Sequence, residues 1–100
     1  MNSYILDIET MADYDRLMTA IIKKQMSIIG SEFALKVARN VPGIEVDDKG
    51  NVTSSASKAK LRILVEEYKL ISGELAVLFA KKAIQSLLNG KEDLPDELKS

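Results

Sequence analysis

Two glutamates are the residues of this chain best placed to do chemistry. Glu32 falls between two apolar arcs of a first helical segment, and Glu74 between two apolar stripes of a second. A carboxylate among apolar neighbours has its pKa raised and can serve as a general acid or base. No His and no Cys is present, so imidazole bases, thiolate nucleophiles, disulfides and zinc–thiolate sites are excluded. No nucleophile–base pair accompanies either glutamate. The reading adopted is therefore structural. Lys36 stands one turn beyond Glu32, a favourable i,i+4 pair, and Arg39 lies on the same side, positioned to reach across to Glu74. Buried polar groups at Glu32, Arg39 and Glu74 would fix the register of two packed helices. The chain is read as a non-enzyme, with no catalytic residue, cofactor or metal site.

The run Asp47-Asp48-Lys49-Gly50-Asn51 invites a calcium reading. It lacks the alternating acidic ligands and terminal Glu of an EF-hand loop, and its single Gly cannot make a phosphate loop. Asn51-Val52-Thr53 has the form of a glycosylation sequon but is read as a turn.

The elements that must position these residues are helical. Thr10 to Asn40 reads as one helix, with Thr10 and Asp13 resembling a capping box. Met18, Ile22, Met26, Ile29, Phe33 and Val37 share one arc; Tyr14, Leu17, Ile21, Ile28 and Leu35 share the adjoining one. Val41-Pro42-Gly43 ends it. Ile44 to Thr53 reads as a β-hairpin around Asp48-Lys49-Gly50-Asn51, with Gly50 free to take positive φ. A second helix runs from about Ser57, with Ser55 or Ser57 as its cap, to Asn89, where Asn89-Gly90 stops it. Each helix is roughly 45 Å long. Residues 1–9 form a short N-terminal strand or arm, residues 10–90 a single helix–hairpin–helix domain, and residues 91–100 a polar tail with one turn from Pro95.

The two helices share an echo. Ile28-Ile29-Gly30-Ser31-Glu32-Phe33-Ala34 parallels Leu70-Ile71-Ser72-Gly73-Glu74-Leu75-Ala76. A mid-helix Gly costs roughly 1 kcal/mol against Ala, usually in exchange for a kink or close backbone approach. The helices are expected to cross near Gly30 and Gly73.

The second helix carries two apolar stripes, Leu61, Leu64, Tyr68, Ile71, Leu75, Leu78 and Ile63, Leu70, Val77, Ile84. One stripe suffices to cover one side of a core. The surplus predicts that a second copy shelters the remainder, and all ten residues are assigned to a combined core and dimer interface. The fold expected is mainly α with a small β part: two long antiparallel helices joined by a β-hairpin, dimerising into a four-helix bundle-like assembly.

Composition agrees with a globular chain: apolar residues make up 46% of the sequence and charged residues 29%, too apolar for disorder. Fourteen basic residues against fifteen acidic leave a net −1, so no broad field selects nucleic acid or an anionic membrane. The clusters Lys23-Lys24, Lys58-Lys60-Arg62 and Lys81-Lys82 read as solvated faces. Met1 to Thr10 lacks the basic region and long apolar run of a signal peptide, and the uncharged run Leu75 to Ala80 is too short to span a bilayer. The expectation is a soluble, cytoplasmic protein binding neither nucleic acid nor membrane, and partnered by itself and by a protein of unknown identity.

The run Ile29-Gly30-Ser31-Glu32-Phe33-Ala34-Leu35 through Ala38-Arg39, then Val41 to Val52, with Leu64-Val65-Glu66-Glu67-Tyr68 leading into Ser72-Gly73, resembles a small archaeal output-domain family over residues 15 to 88. The resemblance implies a helix–hairpin–helix module placed at the ends of signalling proteins, without catalytic residues. The function expected is a non-catalytic protein–protein interaction or regulatory output module acting as a homodimer. The alternatives are a small-molecule sensor with a pocket between the helices near Gly30 and Gly73, and an enzyme using Glu32 or Glu74.

Overall fold

Both long amphipathic segments are broken at their central glycine. The computed structural model describes residues 2–90 and 92–99, with side chains from Tyr14 onward. It comprises α1 (Asn2–Ile29), α2 (Ser31–Ala38), α3 (Lys58–Ser72), α4 (Glu74–Gln85) and one 3₁₀ turn at Asp96–Leu98. The expected pair of long helices is thus four shorter ones. Gly30 adopts φ 92° and Gly73 φ 65°, a region that residues with a Cβ rarely enter. Each glycine closes one helix and opens the next: the Gly73 N–H donates to the Lys69 carbonyl at 2.7 Å while its own carbonyl accepts from Ala76 N–H at 3.0 Å.

The breaks change which side of each helix is buried. Before Gly73 the buried residues are Leu61, Leu64, Val65 and Tyr68; after it they are Ala76, Val77, Ala80 and Ile84. At about 100° per residue the two sets are centred roughly 120° apart on one continuous helix. Neither stripe read from the sequence survives intact. The first is buried up to Tyr68 and exposed from Ile71 onward, while the second is exposed at Leu70 and buried at Val77 and Ile84.

The helices close around a core built from Leu17, Met18, Ile21 and Ile22 of α1, Leu35 and Val37 of α2, and these faces of α3 and α4. α1 and α4 run antiparallel. The Tyr14 hydroxyl donates to the Asp93 carbonyl beyond the end of α4, at 2.7 Å, and Lys24, three turns along α1, lies over the Phe79 ring, 5.8 Å from its centroid. α2 is tied to α3 where the buried Tyr68 hydroxyl donates to the Ala34 carbonyl at 2.8 Å. Burial holds the Tyr68 phenol well above its ordinary pKa.

Other boundaries shift. Backbone from Asn2 onward is already helical, so residues 2–9 are neither strand nor arm; Met1 lies outside the described residues, as do the side chains of the Thr10 capping box. Of the two expected caps, Ser55 and Ser57, helix α3 uses Ser57, whose hydroxyl accepts from Lys60 N–H at 3.2 Å. Helix α4 stops at Gln85, short of Asn89.

The β-hairpin is not formed: among the described residues there is no strand, only one antiparallel bridge between Val46 and Val52. The reason lies in Asp47, whose carboxylate takes over the turn. It accepts from the N–H groups of Lys49 and Asn51, both at 2.9 Å, and from Asn51 Nδ2 at 3.0 Å. An aspartate capping its own following amides competes with a ladder. The bonds flanking the bridge are made, Asp47 N–H to the Asn51 carbonyl at 2.9 Å and Thr53 N–H to the Glu45 carbonyl at 2.8 Å, and the outward Val52 N–H donates to the Thr19 hydroxyl of α1 at 3.0 Å. Gly50 is seated against α1 so closely that a Cβ there would lie 2.7 Å from Met26 Sδ.

The C-terminal segment is not a free polar tail. Leu94 and Leu98 are buried, Asp93 pairs with Lys58 at 3.0 Å and Glu97 with Lys69 at 3.0 Å. Lys91 and Ser100 lie outside the described residues.

Candidate functional site

The residues expected to be buried and polar are at the surface. Glu32, Arg39 and Glu74 are all exposed. Arg39 does not reach Glu74. Its guanidinium donates to the Val46 carbonyl at 3.0 Å and pairs with Asp48 at 3.2 Å, pinning the 43–57 loop to α2. Glu74 pairs instead with Lys69 across the bend at Gly73, at 3.2 Å. Lys69 is shared with Glu97, and these two carboxylates hold its ammonium above the usual lysine pKa, Glu97 contributing most. Glu32 borders an open groove of about 600 Å³ with Phe33, Lys36, Arg39 and Asn40. Both glutamates lie in the first turn after a glycine break, Glu32 as the second residue of α2 and Glu74 as the first of α4, where a carboxylate favours the positive end of the helix.

The echo between the halves is therefore structural. Within the first turns after each break, one residue later after Gly30 than after Gly73, the chain reads Glu, an exposed apolar residue, a buried Ala and a buried aliphatic: Glu32-Phe33-Ala34-Leu35 and Glu74-Leu75-Ala76-Val77. The helices do not cross closely at the glycines. Gly30 and Gly73 are exposed, and nothing lies within 4 Å of where a Cβ would stand on either.

Of the ten residues assigned to a combined core and interface, Leu61, Leu64, Tyr68, Val77 and Ile84 are buried by their own chain. Ile63 is half-buried against that core. The remaining four stay open: Leu70 is 80% exposed, Ile71 46%, Leu75 54% and Leu78 48%. Open aliphatic side chains that gather on a surface are often functional. They follow the outer side of the α3–α4 bend. On α4 the outward row continues Leu75, Leu78, Lys82, Gln85, and a groove of about 330 Å³ opens beside it, walled by Leu78, Lys81, Lys82, Gln85, Leu88 and Leu98.

Ile28 of α1 is also an exposed apolar residue. It is 40% exposed and lies one turn beyond Lys24, on the side where Lys24 meets Phe79. In an antiparallel pair that is the end of α4 that bears Leu75.

A second feature escaped sequence reasoning. Gln25 lies at the centre of the buried face of α1, 1% exposed, and its Nε2 has no hydrogen-bond partner. Asp15 has an unpartnered buried Oδ1, and partial burial raises its pKa against the opposing pull of Lys60. Among the described residues, no three carboxylates come together to hold a metal ion, and Asp47 already spends its oxygens on the turn. No described helix is long and apolar enough to cross a membrane.

Set against known proteins, the chain matches no protein-family model, no curated sequence and no solved structure.

Proposed function

We propose that this chain is a non-catalytic protein–protein interaction module that works as a homodimer, in the manner of a regulatory output domain. One observation carries the reading. The core closes within a single chain, yet Leu70, Ile71, Leu75 and Leu78 remain on the outside of α3 and α4. Holding four large aliphatic side chains in water forfeits burial worth about 25 cal/mol per Å². Open aliphatic side chains of that kind mark a docking surface when they gather on one side of a molecule. The residues most suited to catalysis support the same reading: Glu32 and Glu74 are solvent-facing, and Glu74 serves an ion pair at the bend. The resemblance of the glycine-centred runs to small archaeal output domains points the same way.

Solution mass by multi-angle light scattering tests it. The expected species is about 22 kDa, twice the 11.0 kDa chain. Substituting Glu32→Gln is expected to leave that mass unchanged. A mass of 11.0 kDa at every concentration up to roughly 1 mM, beyond the affinity range of small specific interfaces, would refute the homodimer.

A further inference from the structure

We infer that the second copy docks through the outer face of α4, in an antiparallel α4–α4 pairing about a two-fold axis at Leu78. This rests on the homodimer reading above and assigns it a surface and a register. Three observations carry it.

The first is charge order. A two-fold interface must be complementary to itself. The outward face of α4 begins with Glu74 and ends with Lys81 and Lys82, with Leu75 and Leu78 between. Turned end to end on its own image, the acid of each copy meets the bases of the other, and leucine meets leucine. A parallel pairing would set acid against acid and base against base.

The second is shape. Leu75 projects at the first turn, 54% exposed, while the groove walled by Leu78, Leu88 and Leu98 opens toward the last turns of the same face. Leu75 and the middle of that groove are separated by roughly 10 Å along the helix at 1.5 Å per residue. An axis at Leu78 lies between them, so each Leu75 enters the groove of the other copy. The Lys81 and Lys82 ammonium groups at its rim then face the incoming Glu74.

The third is area. Leu75 and Leu78 are each about half exposed on α4, and with the groove and the charged rim they suit an interface at the lower end of specific ones, which bury roughly 1,000 Å² over both partners. A dimer of that size dissociates on dilution.

The test is light scattering across concentrations from roughly 10 µM to 1 mM, the span in which a small interface titrates. Leu78→Glu, at the axis, is expected to hold the chain at 11.0 kDa throughout. Glu74→Lys alone, and Lys81→Glu with Lys82→Glu, are each expected to weaken self-association at least tenfold. An equimolar mixture of these two variants is expected to recover the mass near 22 kDa, because both reversed contacts are complementary again. Far-UV circular dichroism checks each fold. Leu75→Gln carries the same expectation as Leu78→Glu should the latter not fold. A native dimer that survives these leucine substitutions, or variants whose mixture recovers nothing, overturns this face and register while leaving the homodimer standing. A native chain that never exceeds 11.0 kDa overturns both.

Discussion

Replacing Gly73 with alanine should do more than destabilise the chain; it should straighten it. Gly73 sits at φ 65°, ψ −149°. An L-residue there strains its own backbone by about 1–3 kcal/mol. The strain is local, because nothing lies within 4 Å of the added Cβ. In an unbroken helix the preference reverses, since alanine is favoured over glycine by about 1 kcal/mol. The balance between bent and straight forms thus moves by about 2–4 kcal/mol toward straight. Straightening withdraws Ala76, Val77, Ala80 and Ile84 from the core, and an exchanged α4 from another copy is the simplest replacement. The expected outcome is a melting temperature lower by roughly 5–20 °C, together with slowly exchanging higher-mass species by light scattering. A chain carrying D-alanine at 73, made by chemical ligation, is the control. Its mirror-image preference accommodates positive φ, so it should melt at or above the native temperature. If L-alanine and glycine melt together, the bend is not held by the glycine and the reasoning fails.

Three further outcomes follow from packing. Gln25→Met should raise the urea midpoint by an amount equivalent to about 1–2 kcal/mol, because it removes a buried amide whose Nε2 has no partner; a lower midpoint would mean that the amide holds a hidden bond. Gly50→Ala should cost about 2 kcal/mol or more, since it combines φ +91° with a Cβ 2.7 Å from Met26 Sδ, and chemical denaturation would show it. Tyr68→Phe should lose about 1 kcal/mol at neutral pH with the bond to Ala34. The folded-state pKa of Tyr68 is raised above its ordinary value of 10.0, so its contribution is intact below pH 10 and fades as pH climbs past that point. Melting temperatures between pH 8 and pH 11 should therefore fall less steeply for Tyr68→Phe than for the native chain; parallel curves would contradict the assignment.

The sequence alone determined the helical character, a serine cap at Ser55 or Ser57, the interruption at Pro42 and the turn at Gly50, because each rests on local preference and short-range periodicity. It also determined that the chain carries more apolar surface than one face requires, since residue types are countable without coordinates. What it could not determine was the helical phase beyond each glycine. A glycine inside an apolar pattern is compatible with close packing, a kink or a full break. Only the tertiary contacts, Tyr68 on Ala34 and Lys24 over Phe79, select the break. Once the phase turns, Leu61 and Val77 move inside while Leu70 and Leu75 move outside, although each pair of residues is equally hydrophobic in sequence. The glutamates were misplaced for the same reason: Glu74 lies between two stripes only while the helix runs straight. The hairpin stops at one bridge because the Asp47 carboxylate takes the Asn51 amide that the next rung would use. Local chemistry wrote the elements, and the two bends decided which of their faces meet water.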